Sequence, residues 1–332
     1  MLSRRTLLAR ATHAAVAACC IALGANRATA QDYPTKPVQL IVPFAAGGAA
    51  DIIGRTIAEK LSQTWGQQVV VENRGGAGSN IGINAAAKSA PDGYTLVLAS
   101  IAVAVNPWLF KSMPYDPVKD LTPLTLALET PNVVLVPPSS PIKNIKDLIA
   151  FAKEKAASGG ATYGSAGVGS SLHLAAEVFR QKANVEMTHV PYRGSSPALT
   201  DLMAGRIDLM FDNASTALPQ VQGGSLRAIA VTTRERIAAL PDVPTISESG
   251  LPGFELANWW AIFGPGQMPP ALAERISGDI RKVLADPDVQ KRFADVSGRV
   301  IASSPQELAA HLAQESAKWK QIVETAGIRG SQ

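Results

Sequence analysis

Val38, Leu40, Ile41 and Val42 make a short apolar run, and Ile53, Ile57, Leu61 and Trp65 then recur four residues apart. The first pattern predicts a buried strand, the second an amphipathic helix. Between them lies the turn Pro43-Phe44-Ala45-Ala46-Gly47-Gly48. The same alternation returns along the chain. Residues 68–72 and 94–99 predict strands, with a glycine-rich loop at 75–80 opening a helix over 81–88 between them. Asn106-Pro107-Trp108 predicts the start of a short helix. Residues 121–128 and 133–136 predict two extended runs separated by Pro131. Asn144 caps a helix whose Ile145, Leu148, Ile149 and Ala152 share a face.

Strands are predicted next over 161–165, 185–190, 207–211 and 226–231, the first two followed by helices. The aromatic run 254–264 is extended. The remainder is helical: one helix follows Pro269-Pro270, with Leu272, Ile276, Ile280 and Val283 on one face. The last opens on the capping box Ser304-Pro305-Gln306-Glu307 and ends at Gly327. Strands alternating with short helices predict a parallel sheet covered on both faces. The runs before and after Pro131, and the run 254–264, read as two crossings between domains.

Every glycine- or serine-rich loop follows a strand and precedes a helix. Ligands of open α/β sheets bind at that edge. Gly47 and Gly48 carry no side chain where the chain turns, so bare N–H groups at the start of the first helix can face an anion.

The chain has 332 residues, 46% hydrophobic and 17% charged, enough for two domains with cores. Its formal charge of +4 comes from the first thirty residues, which hold Arg4, Arg5, Arg10 and Arg27 and no acid. Without these four, 27 basic residues face 27 acidic ones. Nothing there points to nucleic acid. The same stretch reads as an export signal: basic, then apolar, then Ala28-Thr29-Ala30 as an A-x-A cleavage site. The arginine pair leaves twin-arginine export open, and Val16-Ala17-Ala18-Cys19 leaves a lipoprotein box open. Both cysteines, Cys19 and Cys20, lie inside this segment, so the mature chain has no thiol chemistry.

Gly76-Ala77-Gly78-Ser79-Asn80-Ile81-Gly82 is spaced G-x-G-x-x-x-G and no acidic residue ends the following strand to hold a ribose, so a dinucleotide is not expected. Nucleophile elbow, Walker loop and zinc-protease motif are all absent. His173 stands four residues before Glu177, which suits an ion pair or a place in a ligand loop. Asp51 serves the helix dipole or a ligand ammonium. Asp212 ends a strand, bonding loop N–H groups or the ligand. Arg193 pairs with a carboxylate or is a solvated turn residue. Ser79, Ser100, Ser165, Ser170 and Ser171 gather at one edge, each a potential cap or donor.

The motifs VPFAAGGAADIIGR, VVVENRGGAGSNIG, PDGYTLVLAS, YGSAGVGSSLHLAAE, HVPYRGSSPALTDLMAGRIDLMFDN and LPDVPTISESGLPGFE, in this order, resemble the Bug family of periplasmic solute receptors of tripartite tricarboxylate transporters. The likeness runs from Tyr33 to Ile328. It implies an α/β, type II periplasmic-binding-protein fold: two Rossmann-like lobes with a hinge and a ligand cleft between them. Residues 1–30 would be the signal peptide, 31–130 and 257–332 the first lobe, 131–256 the second. The implied ligand is a small carboxylate, held by loop backbone, hydroxyls and waters rather than arginine. Carried over by position, the site is Phe44, Ala45, Ala46, Gly47, Gly48 and Asp51, then Ser79, Asn80 and Ser100. The second lobe adds Ser165, Gly167, Gly169, Ser170, His173, Tyr192 and Asp212. Many members have prolines where this chain has Ala45-Ala46, and often Gly-Asn where it has Ser79-Asn80. The expectation is a monomeric, non-enzymatic periplasmic receptor without cofactor, metal or nucleic acid, partnered by membrane permease subunits. A sensor of the same fold and a periplasmic hydrolase or isomerase using His173 or Asp212 are the rivals.

Overall fold

The computed structural model describes residues 33–326. The signal segment, both cysteines and the expected helix end at Gly327 lie outside them. Of the described residues, 33–35 belong to one unit; the strands and helices of the fold belong to the other, which begins at Lys36.

The opening strand and helix form where the apolar pattern puts them: β1 is Val38–Val42 and α1 is Ala49–Trp65, with Ile53, Ile57 and Leu61 buried. Next come β2 (Val69–Asn73), α2 (Asn80–Ala87), β3 (Thr95–Ser100) and α3 (Ala102–Leu109). Helix α3 starts earlier than Asn106-Pro107 suggests and contains Pro107. Residues 101–105 are buried on every side, so no amphipathic period marks them as helix.

Strand β4, Leu121–Val136, is one 16-residue strand rather than two runs. At about 3.3 Å per residue it is about 50 Å long. Pro131 does not break it but marks a change of partner. Up to Pro131 the strand pairs with β9 (Ala257–Pro265); from Asn132 onward it pairs with β7 (Leu209–Asn213) and β8 (Arg227–Val231). A proline that cannot donate to a ladder is tolerated where the ladder changes hands. Helix α4 (Ile145–Lys155) is capped by Asn144 Oδ1, which accepts the Asp147 N–H at 2.9 Å.

After α4 come β5 (Ala161–Ser165), α5 (Ser171–Ala183), β6 (Met187–Pro191) and α6 (Ser195–Met203). Strand β7 runs on through Asp212 and Asn213, and α7 (Ala214–Gln222) comes directly after it without a loop. The chain closes with α8 (Pro270–Leu284), α9 (Pro287–Ala294), β10 (Arg299–Val300) and α10 (Pro305–Ala326). The capping box before α10 forms in both directions: Ser304 N–H donates to Glu307 Oε2 at 2.7 Å, and Glu307 N–H to Ser304 Oγ at 3.2 Å.

The strand order is β2-β1-β3-β9-β4-β7-β5-β6, with β8 and β10 also on β4. The sheet is mixed, not wholly parallel. Each end is a parallel βαβ group, β2-β1-β3 and β6-β5-β7, and the antiparallel β4 and β9 run between them. The result is two α/β lobes joined by crossing strands. This placement turns the carboxyl ends of β1, β3, β5, β6 and β7 toward one region between the lobes.

Candidate functional site

Five helices begin at that region. Gly48 is the N-cap of α1, Ser100 precedes the N-cap of α3, Ser170 caps α5, Ser195 opens α6 and Asn213 caps α7; all five residues line one interlobe cavity. Ala49, Ala50, Ser171 and Leu172 add the first turns of α1 and α5. Phe44, Ala166, Asn258 and Trp260 complete the wall, which contains no charged side chain. First-turn N–H groups have no acceptor inside their own helix, and each helix brings the positive end of its dipole. Those of Gly48, Ala49 and Ala50, and of Ser171 and Leu172, meet no protein acceptor among the described residues. The cavity encloses about 10 Å³, room for about one water.

The lobes meet around it. Ala45 N–H donates to Arg193 O at 2.9 Å, and Ser196 Oγ to Ala46 O at 3.3 Å. Glycines let the backbones close in: a Cβ on Gly78 would stand 2.4 Å from Val168 O, and one on Gly169 2.2 Å from Asn106 Oδ1. The glycine-rich motif around Gly78 thus serves lobe contact. Outside the seam is a groove of about 340 Å³ lined by Pro43, residues 75–79 and Ile81 of one lobe and by residues 166–168 and 191–193 of the other.

Of the residues singled out from sequence, Phe44, Gly48, Ser100 and Ser170 line the cavity. Ala45, Ala46 and Gly169 lie on the seam. Ser79, Gly167, Tyr192 and Arg193 face the outer groove, where the Tyr192 hydroxyl donates to Asp201 at 2.7 Å. Asp51 lies behind the first loop, taking the Gly47 N–H at 2.9 Å and Arg55 Nε at 3.0 Å. Burial raises its pKa, but Arg55, Gly47 and Asn73 together hold the carboxyl below its ordinary value. Asn80 is turned inward and accepts from Asn106 and from the Tyr115 hydroxyl.

His173 does not pair with Glu177, which instead binds the Tyr163 hydroxyl at 2.7 Å and Arg180. Its ring stacks on His189, 4.3 Å between centroids, and His189 stacks on Tyr163. Burial lowers both pKa values, to about 4 for His173 and about 3 for His189, so both rings are neutral near pH 7. Ser165 Oγ lies 2.6 Å from His189 Nε2, a contact the sequence hides because it forms across neighbouring strands. Ser165 is fully buried, its hydroxyl also takes the Gly167 N–H at 3.0 Å, and a ring of such low basicity is a poor base near pH 7. Asp212 is fully buried beside Thr216. Among the described residues no group of His, Cys, Asp and Glu could hold a metal ion.

Sequence reasoning missed Ser195, Asn213, Asn258 and Trp260. The first two obey the same rule as the residues it found, that helix starts after strand ends line the site. The others sit on β9, whose place beside the cavity comes from sheet order alone. They form one chain of bonds: Trp260 Nε1 donates to Thr130 Oγ1 at 3.0 Å, Thr130 to Asn213 Oδ1 at 3.0 Å, and Asn258 Nδ2 to the same oxygen at 3.3 Å.

Two lobes on crossing strands, with helix starts from both around one cavity, define a two-lobed binding protein of the type II periplasmic class. The chain belongs to the TctC family, the tripartite tricarboxylate transporter family receptors, whose family model matches residues 53–328. It is similar to the periplasmic binding protein BugD, with 34% identity and a TM-score of 0.86 over 90% of this chain and 99% of that one. Rpa4515 of R. palustris, solved with adipate, is 35% identical with a TM-score of 0.85 over 90% and 99%. MatC of Rhodopseudomonas palustris, solved with bound malate, is 31% identical with a TM-score of 0.82 over 88% and 100%.

Proposed function

We propose that this chain is an exported periplasmic receptor that captures a small carboxylate by lobe closure and passes it to the membrane permease of a tripartite tricarboxylate transporter, without turnover. The lobes would be residues 31–130 with 257–332, and residues 131–256, rotating about β4 and β9 near Pro131. The observation that carries this reading is the convergence of five helix N-termini on a cavity without a charged side chain. Such a site takes a negative group, and its lining offers no carboxylate to pair with a cation. Micromolar capture needs about −8 kcal/mol. Each hydrogen bond to a charged group contributes about 1.5–3 kcal/mol, so a few open N–H groups and hydroxyls suffice. Adipate and malate in the relatives fit the same chemistry. A cavity with room for about one water requires the lobes to part for entry, and the closed outer surface would be what the permease reads.

A thermal-shift screen of mono-, di- and tricarboxylates, sugars and amines tests it. A carboxylate at about 100 times its Kd should add about 2.7 kcal/mol of stability. Stabilisation by sugars or amines, with every carboxylate inert, would overturn the reading.

A further inference from the structure

Strand β7 delivers Asp212 to the edge of the cavity, one residue before the lining Asn213. The side chain is fully buried. Oδ2 accepts the Thr216 hydroxyl at 2.6 Å, while Oδ1 has no hydrogen-bond partner. Ser195, which lines the cavity, interacts with the carboxyl and favours its ionised form, without a completed hydrogen bond that would satisfy Oδ1.

No charge faces Asp212 from the elements around it. Strand β4 places Val133 opposite, α6 brings Ser195 and α7 brings Thr216. The ionisable groups of nearby elements are engaged elsewhere: His173 of α5 on His189 of β6, Glu177 with Arg180, and Asp201 with Tyr192 and Arg206. A carboxyl removed from water without a cation resists ionisation, and burial pushes this one up to about 7 despite Thr216, Ser195 and the Asn213 N–H. An anion beyond Ser195 would add like charge and oppose ionisation further.

We propose that Asp212 takes up a proton when the anion is captured, so that binding is proton-coupled and Ser195 is freed to serve the ligand. The proton comes from solvent and settles on Oδ1, the oxygen without a partner. Neutral Asp212 donates through it to Ser195 Oγ. Ser195 then turns its own hydrogen toward the ligand oxygen. With Asp212 ionised, the same hydrogen points back at the carboxylate and the cavity loses a donor. Asp212 is thus a positioning residue acting through Ser195. This rests on the proposed capture of a carboxylate.

Isothermal titration with adipate at about pH 6 and about pH 8, in buffers of differing ionisation enthalpy, reads the coupling. Kd should rise about tenfold over that interval, with proton uptake approaching one at the higher pH. Asp212→Asn, a neutral isostere, should keep the low-pH affinity at both values and take up no proton, which also removes the ligand's own titration from the comparison. The Asp212 carboxyl carbon in ligand-free wild type needs no variant, and its NMR titration should have its midpoint near neutrality. A midpoint below about 5, or adipate binding equally at both pH values without proton uptake, removes the coupling alone. If neither adipate nor any other carboxylate of the screen binds at either pH, the carboxylate reading falls and the coupling with it.

Discussion

Asp51 Oδ2 accepts the N–H of Gly47 at 2.9 Å, closing the amide that the glycine turn offers first. The open donors of α1 therefore begin at Gly48, one residue later than the sequence suggests. The same oxygen holds Arg55, so Asp51 ties the first loop to the second turn of its helix. Asp51→Asn keeps the shape and removes the charge. It should destabilise the protein by about 1–3 kcal/mol, read as a lower urea midpoint. Because the folded pKa lies below the unfolded one, wild type holds this contribution above about pH 4 and loses it as pH falls through the folded value, converging on the variant. Equal midpoints near pH 7 would show that the tie contributes nothing.

Gly48 permits a graded test of the first helix start. A Cβ there would meet Ala45 O at 3.6 Å and Ser195 N at 3.7 Å, ordinary contacts, and its φ of −87° suits any residue. Gly48→Ala should fold and retain carboxylate binding. Gly48→Leu should also fold, but its side chain would enter a cavity with room for about one water and hold the lobes apart. Titration should show binding lost in the leucine variant while circular dichroism stays unchanged. Full affinity in Gly48→Leu would place the ligand elsewhere.

The parallel βα units were legible because short apolar runs and four-residue periods are set locally, as at Val38–Val42 and α1. What stayed hidden depends on partners distant in the chain. Pro131 reads as a break until β9, β7 and β8 are seen to change places beside it. Residues 101–105 carry no helical period because they are buried all round. At the site, Gly48, Ser100 and Ser170 announced themselves as residues at strand ends, whereas Asn258 and Trp260 sit on a strand that reaches the cavity only through sheet order. His189 falls inside the predicted strand 185–190, and its pairing with Ser165 comes from β5–β6 register.

The stacked histidines make the second lobe sensitive to acid. Both fold in the neutral form, with pKa values of about 4 and about 3 against an ordinary 6.5. Their stability contribution is complete above about pH 6.5 and is lost as pH falls toward the folded values, by up to about 1.4 kcal/mol per pH unit for each ring. Asp212 works in the opposite sense. Its pKa is raised to about 7, so its contribution is present at low pH and lost as pH rises from about 4 to about 7. Over that window the two effects offset in part. Asp212→Asn should therefore steepen the fall of Tm on acidification, and His173→Gln should flatten it. Parallel Tm–pH curves for wild type and both variants would contradict the burial argument.

Trp260 gives a direct optical view of the cavity. It is 2% exposed, lines the cavity from β9, meets the Phe44 ring edge-on at 6.0 Å and 77°, and is fixed through its indole N–H to Thr130. Phe44 belongs to the loop before α1 and lines the cavity with Trp260, so ligand entry and the parting of the second lobe alter the polarity around the indole. None of the other four tryptophans lines the cavity; Trp259, the nearest in sequence, points its indole N–H at Glu315 instead. Carboxylate binding should thus shift the emission of wild-type protein, and Trp259→Phe should preserve that shift. Trp260→Phe keeps an aromatic ring against Phe44 and should abolish most of it while titration calorimetry still records binding. A full-size emission change in Trp260→Phe would mean that the ligand does not reach the helix starts around this residue.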